Sequence, residues 1–279
     1  MSGIEIEQDA GVRLISFSRP ERRNAMDLAM FRAYYDALAD ADRDPRVRVV
    51  VVTGAGASFC AGAERALLDD LRGPDAQAAL LDGLGHPPHL PLTLGVPLIA
   101  AVNGSAAGLG LVHALYADLR FAAEHAQFST VFARLGLVAE YGAAWLLPRL
   151  VGPGHALDLL LSARKLSADE AREIGLVHRV LPREEVLPAA LAYARTLAEQ
   201  CSPASLSVIR QQVWRGLTQD AADAVRESVL LMSRSFDSPD FQEAVQAMRE
   251  RRRPSFPPRQ VHPSPEPAGA DALTGVRQG

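Results

Sequence analysis

Two glycine-bearing turns, each at the end of an aliphatic run, hold residues that could do chemistry with the main chain alone. The run at 47–53 leads into a turn that contains Gly62, and the run at 96–102 leads into a turn that contains Gly108 and Gly110. A helix start leaves its first backbone N–H groups without internal acceptors and carries partial positive charge. Two such turns that face one point could stabilise an oxyanion by hydrogen bonds from the backbone.

Other familiar catalytic motifs are incomplete in this sequence. The glycines after the run at 49–53 could begin a dinucleotide-binding fold, but Phe59 stands where the third glycine belongs. Ser105 lies one position too early for the nucleophile elbow of a serine hydrolase. We interpret Cys60 and His113 as packed side chains, because each lies in an apolar segment.

Metal and redox chemistry find little support in the sequence. Cys60 and Cys201 are the only cysteines, too few for a disulfide framework or a four-cysteine metal site. His86 and His89 lie in a segment rich in Gly and Pro, 73–95, where no neighbouring acid or cysteine completes a site. We therefore expect no metal, and we interpret 73–95 as a candidate lid.

The composition predicts a soluble globular protein. The chain has 279 residues, of which 48% are hydrophobic and 22% charged, enough for one large α/β core and an appendage. The formal net charge of -4 gives no basic field for a nucleic-acid backbone. The first residues include acids where a signal peptide needs a basic region, and no apolar run approaches membrane-spanning length. We expect a cytoplasmic protein with no nucleic-acid or membrane partner.

Hydrophobic periodicity predicts a hairpin, then alternating helices and strands, then helices only. The expected strands are 4–8, 12–18, 47–52, 97–102, 118–122 and 177–181. The expected helices are 26–40 with Asn24 as its cap, 64–71, 76–81, 108–116, 141–150, 153–162, 168–175, 184–200, 203–216, 220–235 and 239–252. The uneven intervals allow a loose spiral of strand–helix turns.

The change from mixed to helical pattern predicts the domain organisation. Residues 1–200 are expected to form the α/β core, 201–258 a helical C-terminal region and 259–279 a poorly ordered tail. A stripe of apolar residues in the helical region suits either its own core or a subunit interface. Its members are Met232, Phe236, Phe241, Val245 and Met248.

Taken together, the short motifs resemble the crotonase superfamily, the enoyl-CoA hydratase/isomerase family of acyl-CoA enzymes. The segments that carry the resemblance are 18–26, 58–63, 100–110, 126–128, 136–138, 147–152, 175–177 and 237–256. The resemblance implies an α/β fold, a crotonase-like spiral of strand–strand–helix turns with a C-terminal all-helical trimerisation region. It also implies a homotrimer or a dimer of trimers.

The same resemblance implies an acyl-CoA thioester as substrate, with coenzyme A as the substrate's carrier and no separate cofactor. The thioester carbonyl oxygen would accept hydrogen bonds from the backbone N–H groups of Ala63 and Leu109, next to the substrate-binding glycines Gly62, Gly108 and Gly110. Arg22 and Arg23, with Arg252 and Arg253, are candidates for the coenzyme A phosphates, although each could equally be a solvated side chain.

One departure from the family pattern concerns the acids. Hydratases of this family use two glutamates, and Val112 and Phe132 occupy the matching positions here, where neither can move a proton. A single acid remains at Glu140, which could also be an ordinary helix-start carboxylate. An apolar pocket of Phe132, Tyr141 and Trp145 would raise the pKa of Glu140 and distinguish the two interpretations.

The resemblance and its departure together predict enoyl-CoA hydratase/isomerase activity with Glu140 as the one acid/base. One carboxylate can remove a proton at one carbon and return it at another, which favours Δ3-Δ2-enoyl-CoA isomerisation or a single-acid hydration. Two alternatives stay open: a non-catalytic acyl-CoA-binding member of the family, and an acyl-CoA thioester hydrolase.

Overall fold

The aliphatic runs form strands of one sheet, and short segments that follow them form a second. The computed structural model describes residues 3–70 and 75–260. Its strands are β1 (Ile4–Asp9), β2 (Val12–Phe17), β3 (Val49–Gly54), β4 (Ser58–Cys60), β5 (Leu98–Val102), β6 (Ser105–Ala107), β7 (Leu119–Ala123), β8 (Gln127–Ser129), β9 (Leu166–Ser167) and β10 (Arg179–Leu181).

Helices cover both sheets and then continue alone to the C-terminal region. They are α1 (Leu28–Arg43), α2 (Arg65–Asp70), α3 (Ala76–Leu84), α4 (Leu90–Thr93), α5 (Leu109–Leu115), α6 (Ala143–Ser162), α7 (Ala168–Glu173), α8 (Arg183–Gln200), α9 (Pro203–Gly216), α10 (Ala221–Phe236) and α11 (Pro239–Glu250). Short 3-10 helices lie at Pro20–Arg22 and Phe132–Leu135.

The larger sheet has the strand order β1-β2-β3-β5-β7-β10. The hairpin of β1 and β2 is antiparallel, and the remaining neighbours are parallel. Every residue of β3 and β5 is buried, as expected for central strands of a sheet with both faces covered. Helix α8 packs across β3, β5 and β7.

The smaller sheet has the order β4-β6-β8-β9 and was not predicted from the sequence. Strands β4, β6 and β8 follow β3, β5 and β7 of the larger sheet after two or three residues. The chain thus repeats a unit in which a long buried strand is followed by a short strand. This repetition confirms the predicted spiral of strand–strand–helix turns.

The start of α1 corrects one local prediction. Asp27, not Asn24, caps the helix, and its side chain accepts a hydrogen bond from the Met30 N–H. The side chain of Asn24 is fully buried and donates to backbone carbonyls instead. The two helices expected at 141–150 and 153–162 are present within α6, which consists of two helical segments joined across a kink at Gly152, where φ and ψ are not helical.

The last part of the described chain packs back against the core. Helix α10 buries none of its residues, and Met232, Phe236 and Met248 of the apolar stripe are exposed. Phe256 is buried, and Arg259 is buried against Asp42. The expectation for the tail falls, from residue 261 onward, outside the described residues.

Candidate active site

The two glycine turns lie side by side because the strands before them pair. Strand β4 is parallel to β6, with Ser58 opposite Ser105. Gly62 has a φ of +100°, and a Cβ at this position would lie 2.8 Å from the Ala107 carbonyl oxygen and 3.5 Å from the Leu109 backbone nitrogen. Only glycine allows this conformation and this approach together.

The helix that follows the second turn begins against the first. Leu109 is the first residue of α5, after Gly108 with its φ of +49°. A Cβ on Gly110 would lie 2.2 Å from the Cys60 carbonyl oxygen, so the helix start contacts β4 directly. Within residues 3–70 and 75–260, neither the Ala63 nor the Leu109 amide donates a hydrogen bond to a protein acceptor. Two free donors therefore lie on adjacent turns.

Two buried asparagines brace the loop that joins β3 to β4, ahead of the first turn, and sequence reasoning missed both. The Asn24 side-chain amide donates to the carbonyl oxygens of Ala55, Ser58 and Phe59 at 2.9, 2.8 and 3.1 Å. Asn103 donates to the Gly54 carbonyl oxygen at 2.8 Å and accepts from the Gly54 N–H at 3.2 Å. A side-chain amide can satisfy loop N–H and carbonyl groups that have no partner in a neighbouring strand. The asparagines themselves were therefore the signal available in the sequence.

Glu140 lies in the turn between the 3-10 helix Phe132–Leu135 and α6. Burial raises the pKa of Glu140 to about 7, as predicted for the catalytic interpretation. Gly142 occupies the N-cap position of α6, and no side chain caps that helix. No hydrogen bond to the Glu140 carboxyl is formed in the described part of the chain. A carboxyl with this pKa can accept and donate a proton near neutral pH.

The apolar residues that the sequence analysis named around Glu140 and at the other acid positions make different contacts. Val112 and Phe132 are buried, with 1% and 3% of their surface exposed. Tyr141 packs edge-on against Phe31, with 5.5 Å between ring centroids, and burial together with Glu140 raises the pKa of Tyr141 well above its usual value. Trp145 lies 6.5 Å from the Trp214 ring, so this contact joins α6 to α9.

The arginines proposed for phosphate binding differ in their engagement. Arg22 is exposed, and its Nη1 lies 3.3 Å from the Glu64 carboxylate, which also pairs with Arg19 at 2.7 Å. Arg23 is exposed and has a positive φ of 54°. Arg252, by contrast, is held by two carboxylates of α11. Arg22 thus has one carboxylate partner, whereas Arg252 has two.

The packed interpretations of Cys60 and His113 are confirmed. The Cys60 thiol contacts the Asn24 carbonyl oxygen at 3.1 Å, and burial raises its pKa to about 12. His113 lies among aromatic rings, and burial lowers its pKa to about 3. In the residues that the structure describes, no group of three or more His, Cys, Asp or Glu side chains could hold a metal ion. No helix among them is long and apolar enough to cross a membrane.

Comparisons with known proteins assign the family. The family model described as enoyl-CoA hydratase/isomerase matches residues 7–259. The chain is 36% identical over 251 residues to the probable enoyl-CoA hydratase EchA12 of Mycobacterium tuberculosis, covering 87% of this chain and 88% of that protein. It is 35% identical over 256 residues to the 1,2-epoxyphenylacetyl-CoA isomerase of Escherichia coli, covering 89% of this chain and 95% of that protein.

Solved structures agree with the sequence comparisons. A probable enoyl-CoA hydratase/isomerase from Mycobacterium abscessus superposes with a TM-score of 0.81 and 33% identity, covering 92% of this chain and 98% of the other. An enoyl-CoA hydratase from Bacillus anthracis superposes with a TM-score of 0.84 and 28% identity, covering 91% and 98%. The chain has the crotonase fold and belongs to the enoyl-CoA hydratase/isomerase family, whose members act on acyl-CoA substrates.

Proposed function

We propose that the protein isomerises enoyl-CoA thioesters with Glu140 as its one acid/base and the Ala63 and Leu109 amides as its oxyanion hole. The observation that carries this proposal is the environment of the Glu140 carboxyl. Its carboxyl has no hydrogen-bond partner among the described residues, its pKa is raised to about 7, and apolar Val112 and Phe132 occupy the other acid positions.

The proposed isomerisation conserves every atom of the substrate. The thioester carbonyl oxygen of a 3-enoyl-CoA accepts hydrogen bonds from both amides, and the Glu140 carboxylate removes a proton from carbon 2. The electron pair forms an enolate whose negative charge rests on that oxygen. The double bond then moves to carbons 2 and 3 as protonated Glu140 returns the proton to carbon 4.

Single-acid hydration is the second reaction open to this site. Glu140 would take a proton from a water that adds to carbon 3 of a 2-enoyl-CoA and would deliver a proton to carbon 2. Isomerisation suits one carboxylate better, because the proton that it removes is the proton that it returns. The names of the two relatives, a probable enoyl-CoA hydratase and an isomerase of an epoxide thioester, support the hydratase/isomerase class and do not choose between these two reactions.

The oxyanion donors contribute to either reaction in the same way. Loss of one such donor typically removes about 3 kcal/mol of transition-state stabilisation. Leu109 offers its amide from a helix start, where partial positive charge strengthens the interaction. The exposed Arg22 and Arg23 would hold the phosphates of coenzyme A.

The proposed assembly is a homotrimer or a dimer of trimers. Support comes from α10, where none of the residues is buried and the apolar side chains are exposed. They are Val225, Val229, Leu230, Met232 and Phe236. Such a face is unusual for an isolated chain and typical of an interface. Size-exclusion chromatography with light scattering measures the mass of the assembly directly.

The decisive experiment replaces the carboxyl of Glu140 and measures turnover. Glu140→Gln and wild type are assayed with a 3-enoyl-CoA and a 2-enoyl-CoA, and Glu124→Gln, which changes an exposed glutamate, is the control. We expect Glu140→Gln to lose about 10²–10⁴-fold in kcat, the usual contribution of general acid–base catalysis. Glu124→Gln should match wild type.

Three outcomes would contradict the proposal. A loss well below tenfold in Glu140→Gln removes Glu140 from the mechanism. Release of free coenzyme A with no change in double-bond position identifies a thioester hydrolase. Tight binding of acyl-CoA without turnover of enoyl or hydrolysable thioesters identifies a non-catalytic member of the family.

A further inference from the structure

The turn that carries Glu140 is fixed to the helix that begins with Leu109. Tyr116 occupies the C-cap position of α5, and its hydroxyl donates a 2.7 Å hydrogen bond to the Tyr141 carbonyl oxygen. At about 1.5 Å of rise per residue, only about 10 Å of helix separates Leu109 from Tyr116. One short helix therefore presents the second oxyanion amide at one end and anchors the acid's turn at the other.

The Glu140 turn has a conformation that needs such an anchor. Tyr141 and Gly142 have φ values of 45° and 80°, and the Ala143 N–H donates to the Glu140 carbonyl oxygen at 2.9 Å. Two successive positive φ values with this hydrogen bond are typical of a type I′ turn, which disfavours a tyrosine. The edge contact between Tyr141 and Phe31 supports the turn from α1.

We propose that Tyr116 is a positioning residue that fixes the Glu140 carboxyl relative to the Leu109 amide. The inference rests on the proposed function, since it concerns the geometry between the acid and an oxyanion donor. Without the hydroxyl, the Tyr141 carbonyl loses its partner and the strained turn relaxes. The carboxyl then moves away from the substrate and toward water.

The test compares two tyrosines that differ in their hydroxyl partners. Tyr116→Phe removes the anchoring hydroxyl, whereas Tyr34→Phe removes a buried hydroxyl that has no hydrogen-bond partner among the described residues. We expect Tyr116→Phe to lower kcat about 10- to 100-fold, the effect of a displacement near 1 Å, with KM little changed. In the pH profile of kcat, the acidic limb that reports Glu140 should move to lower pH than in wild type. The reason is that a hydrated carboxyl has a lower pKa. Tyr34→Phe should do neither.

A double-variant cycle separates positioning from general stability. If Tyr116 acts through Glu140, adding Tyr116→Phe to Glu140→Gln should cause little further loss of activity. The inference is overturned if Tyr116→Phe matches Tyr34→Phe. It is also overturned if activity falls only with thermal stability while the pH limb stays in place. Full activity of Glu140→Gln would refute the proposed function instead, whatever Tyr116→Phe does.

A second pair of variants tests the same contact if Tyr116→Phe does not fold. A Cβ on Gly142 would lie 3.0 Å from the Tyr116 hydroxyl, while a Cβ on Gly136 meets nothing within 4 Å. Both glycines have positive φ, so both alanine variants carry similar backbone strain. Gly142→Ala should move the Glu140 limb of the kcat profile to lower pH, as Tyr116→Phe does, and Gly136→Ala should not. Equal pH profiles in the two variants would overturn the inference.

Discussion

The oxyanion turns and the Glu140 turn are built in opposite ways. The oxyanion turns offer main-chain groups, and the buried amides of Asn24 and Asn103 satisfy the carbonyls around them. The Glu140 turn offers one side chain whose carboxyl has no hydrogen-bond partner in the described residues, and exposed Leu137 and Val138 precede it. In the proposed mechanism the first region provides a fixed electrostatic field. The second provides the proton, and its surroundings determine the pH at which that proton moves.

This contrast separates the general requirement of the chemistry from the choice of reaction. Any acyl-CoA reaction through an enolate needs donors at the thioester oxygen, and main-chain donors depend on the backbone conformation of their turns. The reaction that follows depends on how many titrating groups face the substrate. Because the resemblance matches Val112 and Phe132 to the other two acid positions, the proposed reaction depends on Glu140 alone.

Among variants that keep Glu140, the largest expected effect comes from disturbing the fixed region. In Gly62→Ala the added Cβ would lie 2.8 Å from the Ala107 carbonyl oxygen, at a φ of +100°, so the turn must move. Displacing one oxyanion donor should lower kcat about 10²–10³-fold. Steady-state kinetics with a 3-enoyl-CoA checks this.

The matched control is Gly175→Ala, another glycine with positive φ. Its nearest neighbour would be the Leu150 carbonyl oxygen at 3.8 Å, an ordinary contact. It should lose about 1 kcal/mol of stability from the left-handed backbone and keep its kcat. Equal kcat in the two variants would show that the Gly62 turn holds no catalytic donor.

The sequence predicted this site unevenly, for physical reasons. Long aliphatic strands and helices with proline starts, such as α9 (Pro203–Gly216), depend on local periodicity and were predicted. Strands of two or three residues, such as β4 and β6, form only because a neighbouring turn of the spiral pairs with them. Asn24 was taken for a helix cap, because its three carbonyl partners lie more than 30 residues away.

The site residues show the same division. The two glycine turns could be recognised because glycine is the one residue that permits such backbone approach. Burial raises the pKa of Glu140, as the catalytic interpretation required, but the Tyr116 anchor depends on a contact across 25 residues. No local pattern predicts such a contact.

A smaller effect should appear in the pH dependence of stability. The pKa of Glu140 is raised from 4.5 to about 7 in the folded protein. A raised pKa means that this group's contribution to stability is present below pH 4.5 and is lost as pH rises through about 7. Relative to Glu140→Gln, wild type should lose at most about 3 kcal/mol of unfolding free energy between pH 4 and pH 8.

Denaturant unfolding of both proteins at several pH values measures this difference. The control is Glu124→Gln, which removes an exposed carboxylate from the same protein. A constant difference for Glu140→Gln would mean that the carboxyl is hydrated in the folded protein. The proposed acid/base would then have an ordinary pKa.

The smallest expected effect concerns the exposed arginines. Arg22 and Arg23 lie on the surface before α1, so each ion pair with a coenzyme A phosphate should contribute no more than about 1 kcal/mol. Changing both to alanine should raise KM several-fold at low salt and leave kcat unchanged. Lys165→Ala removes another exposed cation and serves as the control. The difference should shrink as salt rises, because exposed charges are screened. A KM that stays at the wild-type value at low salt would place the phosphates elsewhere.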